Sequence, residues 1–159
     1  SHAWAEDEEG RDNHQRVKYL NDILKKRGIV TWFDEDRISQ EKGSLRDVLT
    51  NAIYKTCCVL VCITRQYEVK VNGGDESDSC HYEFNVVANC KLASARMTAV
   101  MERSMLHTGS WEEGRLKAEL GPKLFSDLSS DINFEENCEE IVKNVVKMLQ
   151  SLKYFATNS

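Results

Sequence analysis

Apolar positions along this chain change period several times. Val17, Leu20, Ile23 and Leu24 recur at helical spacing, Asp12 or Asn13 stands where a cap is needed, and Gly28 stops the run. IVTWF (29–33) is β-branched and aromatic and predicts a buried strand, with Trp32 and Phe33 packing on opposite faces. The polar DEDRISQEKG that follows reads as a loop. Ser44 with Asp47 three residues on is a capping signal, and Leu45, Val48, Leu49, Ala52 and Ile53 form one helix face. CCVLVCI (57–63) is the most apolar stretch and fits a central parallel strand covered on both sides. Residues 64–78 read as a long loop, 83–92 as a helix, MTAVME (97–102) as a strand, and Trp111 as the opening of a short amphipathic segment. KLFSDL predicts a strand, and residues 134–152 an amphipathic helix with Ile141, Val142, Val145, Met148, Leu149 and Leu152 on one face.

The order is α-β-α-β-α-β-α-β-α. It predicts one α/β domain over residues 1–159, flavodoxin-like and three-layered (α/β/α), with a central parallel sheet of about five strands. The pattern opens on a helix, so its first strand is expected upstream of Ser1. That strand is central in such a fold, and its loss would expose the backbone edges of two neighbours. Either upstream residues or a segment from elsewhere is expected to fill the gap.

Composition narrows the classes. A net charge of −5 and a pI near 5.4 argue against a nucleic-acid partner, which calls for a basic surface. No apolar run approaches the ~18 residues of a membrane span, and no signal peptide is visible. The chain opens SHAWAEDEEG without an initiator methionine, which reads as part of a longer chain. Of six cysteines, three lie inside CCVLVCI as small hydrophobes, and none has metal-site spacing, so no metal is expected. Reduced thiols in a cytoplasmic protein are the expectation. No G-x-G-x-x-G, P-loop, H-E-x-x-H or Ser/His/Asp order appears. SCHYEF (79–84) then raises the main question. Glu83 reads either as an ordinary acid at the start of a helix, favoured there by the macrodipole, or as a group that does chemistry.

In sequence order, several segments resemble a TIR (Toll/interleukin-1 receptor/resistance) domain. SHAW with Asp7 resembles the family's first loop. GIVTWFDEDRISQEKGSL is similar to its second strand and BB loop, with Gly28, Asp34, Ile38 and Gly43 in the expected places. AIYKTCCVLVCIT resembles the passage into the third strand, CHYEF the start of helix C, and WEEGRLKAELGPKLFSDL the late variable region. The resemblance spans nearly the whole chain. A receiver domain shares the architecture, but CCVLVCI ends in Thr64-Arg65, where that family needs an aspartate.

The resemblance implies an activity. Enzymatic TIR domains cleave the nicotinamide–ribose bond of NAD⁺ with a glutamate at the start of helix C, three residues after a cysteine or comparable group. Cys80 and Glu83 have that spacing, which makes Glu83 the implied catalytic residue of an NAD⁺ nucleosidase. Its products are nicotinamide and ADP-ribose, or a cyclic ADP-ribose. NAD⁺ is the substrate, and no other cofactor is implied. Trp4 is a stacking surface for nicotinamide or adenine, or a lid on the core. Asp34 bonds a ribose hydroxyl or caps its loop. Arg37 faces a diphosphate or serves an interface. His2 is a loop histidine near the ribose side. Cys80, Tyr82 and His81 flank the glutamate, and Trp111 lines the entrance or pins the short helix. Some animal TIR enzymes carry tryptophan four residues ahead of the glutamate. Here that place is Ser79, so a stacking ring has to come from elsewhere. The BB loop (Asp34, Glu35, Asp36, Arg37, Ile38, Gly43) implies head-to-tail assembly with other TIR domains in immune or stress signalling. The alternative within the family is a non-catalytic scaffold using the same surfaces.

Overall fold

The structure, a computed structural model, describes residues 1–33, 44–90 and 95–157. The predicted BB loop, with Asp34, Glu35, Asp36, Arg37, Ile38 and Gly43, lies outside the described residues. Among the described residues, six α-helices and a three-stranded sheet follow one another in the order α1 (Asn13–Lys26), α2 (Leu45–Lys55), β1 (Cys58–Ile63), α3 (Arg65–Asn72), α4 (Ser79–Asn89), β2 (Ala95–Val100), α5 (Arg115–Leu120), β3 (Ser126–Asp127) and α6 (Phe134–Thr157). Two short 3₁₀ turns, Arg103–Met105 and Thr108–Ser110, link β2 to α5.

The caps that begin α1 and α2 are local and follow the sequence signals. Asp12 accepts from the Gln15 N–H at 3.0 Å, and Ser44 accepts from the Asp47 N–H at 3.2 Å. Gly28, at φ +78°, takes the left-handed turn after α1. The sheet is parallel throughout, in the order β1-β2-β3, with Leu60 opposite Met97 and Ala99 opposite Ser126. Alternate residues of its strands feed two cores. Cys62, Ala99 and Met101 pack with Leu20, Ile141 and Val145 from α1 and α6. Val61, Ile63 and Val100 pack with Tyr67, Phe84 and Leu116 from α3, α4 and α5. This is the period of two of a strand read as two helix-covered faces.

Five expectations need correction. The sheet has three strands among the described residues, not about five. IVTWF (29–33) is no strand, because strand identity requires a ladder with a neighbour and this segment has none among the described residues. KLFSDL contributes only Ser126 and Asp127 to a ladder, while Leu124 is almost fully exposed. The long loop over 64–78 is instead largely helix α3. Thr64 caps it by accepting from the Tyr67 N–H at 3.1 Å, and Tyr67 and Val71 bury one face. Helix α4 also starts earlier than expected, at Ser79, with Asp78 as its cap.

Ser1 lies against β1. Its amino group donates to the Leu60 carbonyl at 2.8 Å, and its own carbonyl accepts from the Cys62 N–H at 2.9 Å. That is the bonding of a parallel pair. The loop that follows carries the sequence-predicted Trp4 to the carboxyl end of the sheet, where α1 begins.

Candidate functional site

The first loop is fixed by polar groups that the protein itself satisfies. Asp7 is buried and accepts from the Arg11 and Glu9 N–H groups and from Arg11 Nε at 2.7 Å. Burial alone would raise its carboxyl, but these donors and the Arg11 charge outweigh that and hold it below its ordinary value. Arg11 and Arg16 reach on to the Met101, Leu128 and Ser129 carbonyls beyond the strand ends. Asn13 Nδ2 donates to the Ala3 carbonyl at 2.9 Å. The loop is thereby held at both ends, and its ring-bearing residues have fixed places.

Those rings form a stack. His2 Nε2 and His14 Nδ1 are 2.8 Å apart, and both residues are buried. The His2 ring lies 5.6 Å from that of Phe33, with the planes 9° apart. Trp4 covers His14 with ring centroids 3.9 Å apart. Trp4 is 59% exposed, so the stack presents one large ring to solvent. His2 is lowered to about 3, first by burial, then by the Ser1 ammonium and by His14. It is neutral under physiological conditions, as a buried ring in a hydrogen-bonded pair must be.

Helix α4 is fastened to this loop from the other side. Asp78 accepts from the Cys80 and His81 N–H groups at 2.8 and 3.3 Å, and from Lys70 Nζ at 3.0 Å. His81 Nδ1 donates to the Val71 carbonyl at 2.8 Å, tying α4 to α3. Cys80 is buried, and its thiol donates to the His2 carbonyl at 3.4 Å. Burial, then the Glu83 and Asp78 charges, push that thiol up to about 12, so it is no nucleophile. The Tyr67 hydroxyl, fully buried and 3.0 Å from Ser1 Oγ, is pushed well above its ordinary value, by burial first and by Glu83 among the charges. Glu83 itself is half-buried. Its carboxylate therefore acts on groups that also touch the first loop.

Glu83 is the fifth residue of α4, in its second turn rather than its first. The macrodipole effect on charge falls off within the first turn, and Asp78 already caps the free N–H groups. The helix macrodipole therefore contributes little to an acid at this position.

The remaining sequence-predicted residues separate. Tyr82, next to Glu83, turns toward α2. Its hydroxyl meets Thr50 Oγ1 at 2.6 Å, and the Arg46 guanidinium sits 5.0 Å from its ring centre. Tyr82 and Arg46, together with Ser44, Leu49 and Ser79, line a cavity of about 210 Å³. That is smaller than the roughly 300 Å³ at which small-molecule pockets begin. Trp111 is buried in the core beside Met105 and Leu116, with Nε1 donating to the Met105 carbonyl at 2.8 Å. It pins the segment before α5, one of its two expected roles. Asp34 and Arg37 lie outside the described residues.

Sequence reasoning missed His14, Tyr67 and Arg46. His14 had one usable signal: it follows the α1 cap and so stands at the carboxyl edge with the first loop. Tyr67 could have been found as the residue three after Thr64, a cap spacing. Arg46 gave no signal before the α2–α4 contact was known. Among the described residues, no helix is long and apolar enough to cross a membrane. Comparisons with family models, with curated proteins and with solved structures give no match for this chain.

Proposed function

We propose that this chain is a TIR-type NAD⁺ glycohydrolase in which Glu83 is the catalytic carboxylate. The observation that carries the reading is the fastening of the Glu83 helix to the loop that presents Trp4, through the Cys80 thiol on the His2 carbonyl at 3.4 Å. The helix that carries Glu83 and the loop that carries Trp4 are thus bonded to each other.

The chemistry asks little else of the protein. Breaking the bond between ribose and the cationic nicotinamide leaves an oxocarbenium-like centre on the sugar. Nicotinamide departs neutral and needs no general acid. Glu83 stabilises the positive centre or holds the ribose hydroxyls, and water adds to give ADP-ribose and a proton. Attack by the adenine ring in place of water gives the cyclic product. Trp4, supported from beneath by His14, supplies the stacking ring that Ser79 does not. Head-to-tail assembly through the BB loop controls the site in this reading, because such a contact propagates rather than closes.

The test is nicotinamide release from NAD⁺ by concentrated protein, beside Glu83→Ala and Glu83→Gln. Release should fall at least about 100-fold in both variants with the fold intact. Unchanged release would move the chemistry to another residue. No release from the assembled wild type would leave the scaffold reading, with recruitment of other TIR domains as the activity to measure.

A further inference from the structure

Helix α2 and the turn ahead of α4 meet at a small cavity, and the charges around it are unevenly spent. Arg46 is exposed in the first turn of α2. Its guanidinium donates to the Glu76 carbonyl and lies over the Tyr82 ring. Both of these partners are neutral, and Arg46 forms no ion pair with a carboxylate among the described residues.

The turn that Arg46 holds runs Asp75-Glu76-Ser77-Asp78, after Gly73 and Gly74. Asp78 is committed to the α4 cap and to Lys70. Ser77 is exposed and lines the same cavity as Arg46. Its N–H donates to Asp75 Oδ1 at 2.8 Å, and its hydroxyl donates to the same oxygen at 2.7 Å. The Asp78 N–H closes the turn on the Asp75 carbonyl at 3.0 Å. The other two serines of the cavity are less accessible or already employed. Ser79 is half-buried in the first turn of α4, and the Ser44 oxygen caps α2.

We propose that Ser77 is a phosphorylation site, and that Arg46 receives the phosphate and clamps the α3–α4 turn onto α2. Asp75, Glu76 and Asp78 surround the acceptor, so the modifying enzyme is an ATP-dependent protein kinase with a basic substrate groove. In the transfer, the bond from the γ-phosphorus of Mg-ATP to its bridging oxygen breaks, and a bond from Ser77 Oγ to that phosphorus forms. ADP leaves, and the hydroxyl proton passes to the kinase's base. The product carries about −1.5 to −2 charges and three acceptor oxygens. It no longer donates to Asp75, and the like charges repel. The guanidinium, bonded to the carbonyl one residue before, is the group that attracts it. A charge-assisted pair then replaces a bond to a neutral carbonyl. The positive end of α4, which starts two residues on, adds to the attraction. Helices α2 and α4 already share the Thr50–Tyr82 contact at 2.6 Å, and the phosphate ties their amino ends as well.

The site is tested by incubating the chain with Mg-ATP and an acid-directed serine kinase and mapping the phosphate by mass spectrometry. Ser77 should take it up, and Ser77→Ala should remove most of the incorporation. No uptake, or uptake elsewhere with Ser77 bare, would overturn the assignment. The clamp is read on Ser77-phosphorylated protein by melting and by phosphorus NMR titration, with and without Arg46→Gln. Phosphorylation should raise the melting temperature by about 2–4 °C. It should also hold the second ionisation of the phosphate below its ordinary value of about 6. Arg46→Gln changes an exposed residue, so the unmodified fold should persist while both effects disappear. Equal shifts with and without Arg46 would sink the clamp. So would a fall in melting temperature in the wild-type background, where repulsion within the acidic turn would have won.

Discussion

Trp4 and Trp111 are the same residue type, and both lie in connecting segments just before helices, yet the fold uses them differently. Trp111 is 2% exposed, and its N–H is spent on the Met105 carbonyl. Trp4 is 59% exposed and rests on His14. A ring enclosed on both faces contributes only to stability. A ring supported on one face and open on the other costs the fold little and leaves a plane for a ligand. The difference comes from what lies beneath each ring: an apolar core under Trp111, and a polar ring pair that itself needed partners under Trp4.

That contrast is directly breakable. Trp111→Ala should cost about 4 kcal/mol in chemical denaturation, as for a large aromatic removed from a core. Glu68 supports the same side of the molecule. It is fully buried and accepts from Arg65 Nη1 and from the Glu112 N–H at 2.8 Å. Glu68→Ala should cost about 2 kcal/mol by the same measurement, because it leaves the Glu112 N–H without its acceptor.

On the Trp4 side the sensitivity is to pH. The His2 value is lowered in the fold, so between about 6.5 and about 3 the unfolded chain binds the extra proton and stability falls as pH falls. The loss between about pH 7 and about pH 5 should be roughly 2 kcal/mol, and His2→Asn should flatten it in a pH series of denaturation curves. Asp7 acts in a separate window. Its lowered carboxyl stabilises above its ordinary value and that contribution is lost only as pH drops below it.

Gly114→Ala should cost about 1–2 kcal/mol. A Cβ there would stand 2.6 Å from the Asn72 side chain, whose Oδ1 accepts from the Leu116 N–H and so caps α5. A thermal melt is enough to see it. Trp4→Ala should be the smallest change, below about 1 kcal/mol, because its ring is already largely in water. A cost near that of Trp111→Ala would erase the distinction between the two rings.

What could be read from the sequence follows from how local each signal is. Asp12, Ser44 and Gly28 act on their own neighbours within four residues, and the structure uses all three as the sequence implied. CCVLVCI announced a strand by composition, and its alternate residues do face two cores. IVTWF carried equal β-propensity and forms no ladder among the described residues, because pairing depends on a neighbour that propensity does not supply. The Gly-Gly-Asp turn at 73–75 drew the whole of 64–78 into a loop, hiding the Thr64 cap and the Tyr67/Val71 face of α3. For the candidate site, the spacing of Cys80 and Glu83 was visible, and so was Trp4. The contact that joins them, a thiol on the carbonyl of a residue 78 positions away, leaves no trace in sequence.

Glu102 has one further consequence. Its two carboxylate oxygens accept the N–H groups of Glu8, at 3.1 Å, and of Arg65, at 2.7 Å. The partners lie 94 and 37 residues earlier in the chain. During synthesis the loop that carries Glu8 leaves the ribosome well before the acceptor that locks it, which emerges only after β2. The loop that presents Trp4 therefore waits for a residue 94 positions further along the chain before it can take its final shape.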